Sequence, residues 1–298
     1  MKQVINSKPE NGLLDSEANA ENGKKLNTTK LLVLPAVLLV IVFLIFPLFQ
    51  LAYNSFFSPD FTFKHYLRFF QETVYLQVLV NTIKVGLYVT FITLVLGYPV
   101  AFLLVTVSQR MQNILLIFVL LPFWTSFLVR TYAWMIILGR EGVVNKLLIY
   151  LGLIHEPLSM LHNSFAVLIG LSHVMLPFMI FPLYSVMKNI DLDLVKAAQS
   201  LGATPFHAFK KVLFPLSVPG IASGSILVFI ISIGYYVTPA LLGGGSDTMI
   251  SQLIAQQIGQ QLNWGFGSAI AFILLVVVLI ILSLFNRFFG LDKISFGP

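Results

Sequence analysis

Lys196-Ala-Ala-Gln-Ser-Leu-Gly202-Ala-Thr-Pro205-Phe-His-Ala-Phe209-Lys-Lys-Val212-Leu-Phe-Pro215 is a polar interruption between two long apolar runs. Just before it, Asp191 and Asp193 place acids where a short helix would begin, and an acid is favourable at the positive end of the helix dipole. Leu194, Val195, Ala198 and Leu201 then recur at helical spacing as a small apolar face. Gly202 suits the residue after a helix end, where the backbone turns left-handed. Thr204 and Pro205 form a cap and first residue for a second helix, Phe206 to Leu213, and Pro215 and Pro219 lead into the next apolar run. Ala197, Ala198 and Ala203 are small enough to let another surface approach closely. Lys210 and Lys211 can meet anionic headgroups or acids. An interfacial helix-turn-helix and a docking elbow for a partner both fit these residues.

The flanking runs set the fold class. The 298-residue chain is 57% hydrophobic and 10% charged with a mean hydropathy of +0.90, far from the roughly one-quarter charged composition of soluble domains. About 20 apolar helical residues cross the hydrocarbon core, and six stretches qualify: Leu31 to Ala52, Gln77 to Val107, Asn113 to Leu138, Phe165 to Met187, Leu216 to Leu242 and Phe266 to Phe289. An all-α, polytopic membrane protein with six transmembrane helices is therefore expected, since a barrel would show short alternating segments instead. Residues 1–30 are polar and read as a disordered tail, 31–290 as the transmembrane domain with its elbow at about 188–215, and 291–298 as a short tail.

Basic residues orient it. Twelve of the 18 lysines and arginines fall in the termini or the even loops, among them Lys24, Lys25, Arg110, Lys188 and Lys196, against Lys64, Arg68, Arg140 and Lys146 in the odd loops. By the positive-inside rule both termini and the elbow are cytoplasmic. The net charge of +6 thus records topology, and nucleic acid is not an expected partner, whereas membrane lipids are.

Several chemistries lack their residues. There is no cysteine, no HExxH spacing among the five histidines, and no P-loop, because Gly243-Gly-Gly-Ser-Asp lacks the lysine; its glycines read as a flexible exit from the fifth span. No catalytic residue, metal site or cofactor is expected on this chain. Ion-coupled carriers place acids or histidines deep in the membrane, but none of the twelve acids is central to a span. Of the intramembrane polar residues Lys84, Arg130 and His173, Lys84 reads as snorkelling to the headgroups. Arg130 shares a helical face with Phe123, Phe127 and Trp134, which fits either a pathway residue or an aromatic belt around a snorkelling arginine. Pro177 and Pro182 are the leading hinge candidates of the fourth span.

Lys196-Ala197-Ala198, Gly202, Phe209, Val212, Pro215 and Pro219 resemble the EAA loop of permease subunits of binding-protein-dependent ABC importers. The resemblance implies a type I importer permease (MetI-like) fold and a coupling helix that docks a cytoplasmic ATPase. Leu194, Lys196, Ala197, Ala198, Leu201, Gly202, Ala203, Pro205 and Pro215 would form the docking surface. Lys196 stands where that family carries Glu, so an acid on the ATPase is expected to answer it. Pro122-Phe-Trp-Thr-Ser-Phe-Leu-Val-Arg-Thr-Tyr132 and Tyr235-Tyr-Val-Thr-Pro-Ala-Leu-Leu-Gly-Gly244 are similar to the B-type subunit of spermidine/putrescine permeases. This implies a pathway near Trp124, Arg130, Tyr132, Trp134, Tyr235 and Tyr236, and a polyamine or similar small nitrogenous solute. The implied partners are a second, C-type permease in a heterodimer, two ATPase subunits carrying ATP and Mg, and an external solute-binding protein, at a bacterial inner membrane. The alternative is a stand-alone channel or ion-coupled secondary transporter.

Overall fold

In a computed structural model, residues 33–57 and 60–289 are described. The expected tails at 1–30 and 291–298 lie outside them. Among the described residues no β-strand forms, as a hydrocarbon solvent requires: a helix satisfies its backbone internally, an open strand does not. The chain forms two units, residues up to Asn54 and residues from Ser55 onward. Most of the first unit's described part is one helix, α1 (Val33–Phe56), apolar on every side and with a π-helical stretch at Ile41–Ile45. Its last residues belong to the second unit, where the Ser55 and Tyr66 hydroxyls are 2.7 Å apart.

The second unit runs through α2 (Lys64–Gln71), α3 (Thr73–Thr106), α4 (Gln109–Trp124), α5 (Phe127–Leu138), α6 (Val143–Tyr150) and α7 (Ser164–Met187). It continues with α8 (Asp193–Ser200), α9 (Pro205–Ile233), α10 (Val237–Leu242), α11 (Ile250–Ala255) and α12 (Trp264–Phe289). Among the described residues five helices are long and apolar enough to cross a membrane, namely α1, α3, α7, α9 and α12, and six if the bent pair beginning with α4 is one span.

Two expected spans change form. The third is broken: α4 stops at Trp124, Thr125 and Ser126 are extended, and the helix resumes at an angle of 97°. Phe123 is thereby parted from the face of Arg130 and packs instead on Phe178, ring centres 5.1 Å apart. The fifth span ends at Ile233 rather than Leu242, because Gly234, Tyr235 and Tyr236 interrupt it before α10. It also starts earlier. Pro215 and Pro219 punctuate nothing: α9 runs through both, and a π-helical turn at Phe209–Leu213 precedes Pro215. That wider turn, closed by Phe214 N–H on Phe209 O, is where the ladder re-registers around the proline's missing donor. Pro177 and Pro182 likewise leave α7 continuous.

The core is α3, α7 and α9, which pack on one another more extensively than any other described elements. Between apolar helices in lipid there is no hydrophobic drive, so association depends on close backbone approach at small residues. Gly220-Ile-Ala-Ser-Gly224 provides it on α9. A Cβ on Gly220 would stand 3.1 Å from Leu183 Cα and 3.2 Å from Pro182 O, and one on Gly224 3.2 Å from Met179 O. Gly97 and Gly86 of α3 play the same part, facing Met179 and Ile180 of α7 and Ile233 of α9 respectively. At the end nearer α8, Tyr98 and Ser217 hydroxyls bond at 2.9 Å. At the opposite end Asn81 donates to Thr248 O at 3.2 Å and Thr82 Oγ1 accepts from Ile250 N at 2.9 Å.

Gly220→Val should force α7 and α9 apart and lower the stability of the purified protein by about 1–3 kcal/mol, the usual cost of overpacking. Gly259→Ala, whose added carbon meets nothing within 4 Å, is the control. Equal thermal unfolding midpoints for the two variants would refute the close approach.

Candidate functional site

At the elbow, local chemistry builds a rigid turn. Asp191 Oδ1 accepts from Asp193 N at 2.9 Å, opening α8. The helix closes with Gly202 N donating to Gln199 O at 2.9 Å and Ala203 N to Ala198 O at 3.1 Å, a Schellman pair that requires the φ of +92° seen at Gly202. A single residue later Thr204 Oγ1 accepts from His207 N at 3.3 Å and Pro205 occupies the first helical turn of α9. Two helices thus meet through a four-residue connection in which the orphaned backbone groups have partners.

The outer surface of that turn is apolar and small. Leu201 is 90% exposed and Leu194 50%. Ala198, Gly202, Ala203, Thr204, His207 and Lys211 line a shallow cleft of about 430 Å³ together with Ala208 and Val212. Ala197 is exposed beside it, whereas Pro215 lies along α9 within the span-forming helix. The acid that meets Lys196 here is Asp193 of the same helix, Nζ to Oδ1 2.7 Å. This hydrogen bond raises the Lys196 ammonium above its ordinary pKa and lowers the Asp193 carboxyl below its own. Both groups are solvent-exposed, so the pair shapes charge rather than stability.

The second region lies where α5 and α10 meet over α7. Trp134 Nε1 donates to His173 Nδ1 at 3.3 Å, with the rings edge to face at 5.7 Å. Thr131 and Thr238 hydroxyl oxygens stand 3.5 Å apart. Gly170 allows the contact, since a Cβ there would meet Leu242 Cδ1 at 2.5 Å and Thr238 Cγ2 at 2.9 Å. Segments 122–132 and 235–244, remote in sequence, are therefore neighbours. Arg130 sits one turn before Trp134. Tyr235 is half-buried and its carbonyl accepts from Ser251 Oγ at 2.7 Å, while Tyr236, Tyr132 and Trp124 are exposed at 46%, 53% and 78%. Trp124 ends α4, across the break from the others. His173 also forms the polar end of an apolar cleft of about 450 Å³ between α3, α4 and α7, with Phe118, Pro122 and Pro177 on its walls.

Several residues of this region escape the sequence reading. Gly170 carries no motif and Thr238, though inside the 235–244 segment, has no role of its own there; only their juxtaposition gives them one. Gly243-Gly-Gly is not a loose exit: Asp247 is buried, takes the Ser164 hydroxyl on Oδ1 and Gly244 N on Oδ2 at 3.2 Å, and folds Gly245–Asp247 into a 3₁₀ turn against the start of α7. An acid five residues after a span was the available signal. Among the described residues no group of histidines and acids could hold a metal.

Comparison with known proteins agrees with this architecture. The family described as "Binding-protein-dependent transport system inner membrane component" matches residues 93–289, from mid-α3 to the end of α12. The spermidine/putrescine transport system permease protein PotB of Haemophilus influenzae is 36% identical over 234 residues, 78% of this chain and 82% of its own. PotB of Escherichia coli is 35% identical over 233 residues, 78% and 84% of the respective chains. In structure, a chain of a bacterial ABC transporter involved in the import of the acidic polysaccharide alginate superposes with a TM-score of 0.71 at 22% identity, covering 94% of this chain and 100% of that one. A chain of the MetNI methionine ABC transporter superposes at 0.55 and 20% identity, covering 73% of this chain and 95% of its own. With two thirds of its length inside the family match and the same membrane fold, the chain belongs to the inner-membrane permease components of binding-protein-dependent ABC importers.

Proposed function

We propose that this chain is half of the translocation pathway of an ATP-driven importer for a polyamine or a similar small nitrogenous solute. The observation that carries the reading is the elbow, a capped, rigid turn with an exposed leucine and small residues around a cleft, on a chain of the importer permease family. α8 docks a cytoplasmic ATPase, and ATP with Mg belongs to that partner. Leu194, Ala197, Ala198, Leu201, Gly202 and Ala203 offer shape complementarity; Lys196, already answered by Asp193, needs no acid from the ATPase. Because α9 is unbroken from Pro205 to Ile233, a push on the elbow moves a core helix directly instead of being absorbed at a joint.

A second, similar permease completes the pathway, two ATPase subunits lie below, and an external solute-binding protein delivers cargo above. The lysine-rich end is cytoplasmic, with both termini on that side. The nitrogenous solute is inferred from the polyamine permeases that resemble this chain over most of its length. Trp124, Arg130, Tyr132, Trp134, Tyr235 and Tyr236 are the proposed pathway region, where exposed aromatic faces suit a passing cation.

Two substitutions separate shape from charge at the elbow. Leu201→Asp should weaken ATPase association at least about tenfold, because a desolvated apolar anchor typically carries 2 kcal/mol or more of an interface. Lys196→Ala should change it by no more than about fivefold, the worth of an exposed ion pair. Co-purification and solute-stimulated ATP hydrolysis of the reconstituted complex read both. Wild-type association of the Leu201→Asp protein would remove the elbow from the ATPase interface.

A further inference from the structure

α4 is tied to α7 at two places and otherwise stands apart from it. At the elbow end the Gln112 amide donates to the Tyr184 hydroxyl, and farther along Phe123 packs on Phe178 with ring centres 5.1 Å apart. The remaining space is the cleft of about 450 Å³, walled by Leu96 of α3, Leu115 and Val119 of α4, and Leu176 and Ile180 of α7. Its rim is open, since Leu96 and Phe118 are 51% and 67% exposed. Among the described lining residues His173 alone is polar.

Toward the elbow, one face of α7 changes character in a fixed order. His173, Leu176, Pro177 and Ile180 give about 10 Å of mostly apolar wall. Tyr184 follows one turn later with its hydroxyl on Gln112. Lys188 follows one turn after that, exposed, its ammonium 6.0 Å over the Tyr184 ring. Arg110 is exposed in the first turn of α4 at the same end. Among the described residues neither cation has an ion-pair partner. Apolar wall, then hydroxyl and amide, then cations is the order of a phospholipid's acyl chain, ester and phosphate. The length agrees, because the acyl layer of one leaflet is about 15 Å deep, half of the hydrocarbon core. Water finds almost no partner on such walls, and an unfilled gap forfeits contacts on both sides. An apolar helix would fill the gap but leave the two cations unanswered. We propose that this cleft holds an acyl chain of an anionic phospholipid whose phosphate is met by Lys188 and Arg110, in the leaflet on the ATPase side. The inference goes beyond the transport reading and takes from it only the cytoplasmic placement of this end.

Native mass spectrometry of the full-length protein, released from nanodiscs of phosphatidylcholine or of phosphatidylglycerol with the same acyl chains, reads the retained lipid. Phosphatidylglycerol should be retained at least about fivefold better, the worth of one basic residue at a membrane surface. Lys188→Gln should remove most of that preference and leave phosphatidylcholine retention unchanged, whereas Lys188→Arg should keep it. Val119→Trp, which fills the cleft, should lower retention of both lipids. Lys210→Gln, exposed at the same membrane end but on α9, is the control. Equal retention of the two lipids by the wild type overturns the proposal. So does an equal loss of preference in Lys210→Gln, which would make it a property of the whole basic end. Unchanged retention in a folded Val119→Trp protein overturns the acyl site. If the lipid is lost when the second permease joins, that subunit fills the cleft and the proposal fails. Labelling of Lys188→Cys by an impermeant maleimide outside intact cells, in a chain with no other cysteine, would instead refute the cytoplasmic placement and not the lipid.

Discussion

The second unit is arranged on the close approach of three helices, α3, α7 and α9, at positions that have no side chain. In lipid the apolar surface of one helix gains nothing by leaving acyl chains for another helix, so the advantage lies in backbone proximity and dense van der Waals contact. Gly220 and Gly224 bring α9 onto the backbone of α7 at Pro182–Leu183 and Met179, while Gly86 and Gly97 bring α3 against both. The resulting block fixes the two regions of interest at opposite ends. One end of α9 leads into the elbow through Pro205, and the outer part of α7 presents Gly170 and His173 to α5 and α10.

This geometry suits a machine that converts a push at one end into an opening at the other. The elbow cannot swivel freely, since Gly202 is held in its turn and Thr204 caps the next helix. The Tyr98–Ser217 hydrogen bond ties the same end of α9 to α3. Displacement of α8 is therefore expected to shift the glycine-packed block as a body, and the helix pair α4–α5, itself bent by 97° at Thr125–Ser126, is expected to be where the outer region yields.

The long apolar helices were legible because hydropathy over about 20 residues is a strong physical signal. The elbow's parts were legible for a different reason: a capping threonine, a first-turn proline and a turn glycine each have one dominant backbone preference. What hydropathy could not reveal is the break at Thr125–Ser126, since apolar residues continue across it and only the backbone changes direction. Pro215 and Pro219 misled in the opposite sense. A proline argues for interruption locally, but a π-helical turn can satisfy the ladder at little cost when the surrounding helix is held by packing. The Gly220-x-x-x-Gly224 spacing was visible and unread. The pairing of Trp134 with His173 and the burial of Asp247 depend on contacts between distant segments that no local pattern encodes.

The most direct measurement of the central claim is solute uptake by proteoliposomes. Vesicles containing this chain with its second permease and the ATPase should accumulate a radiolabelled polyamine only when ATP is on the ATPase side and the solute-binding protein is on the other. Vesicles containing this chain alone should accumulate none. Uptake by this chain alone, or uptake by the full assembly that is indifferent to ATP, would contradict the account and favour a channel or an ion-coupled carrier.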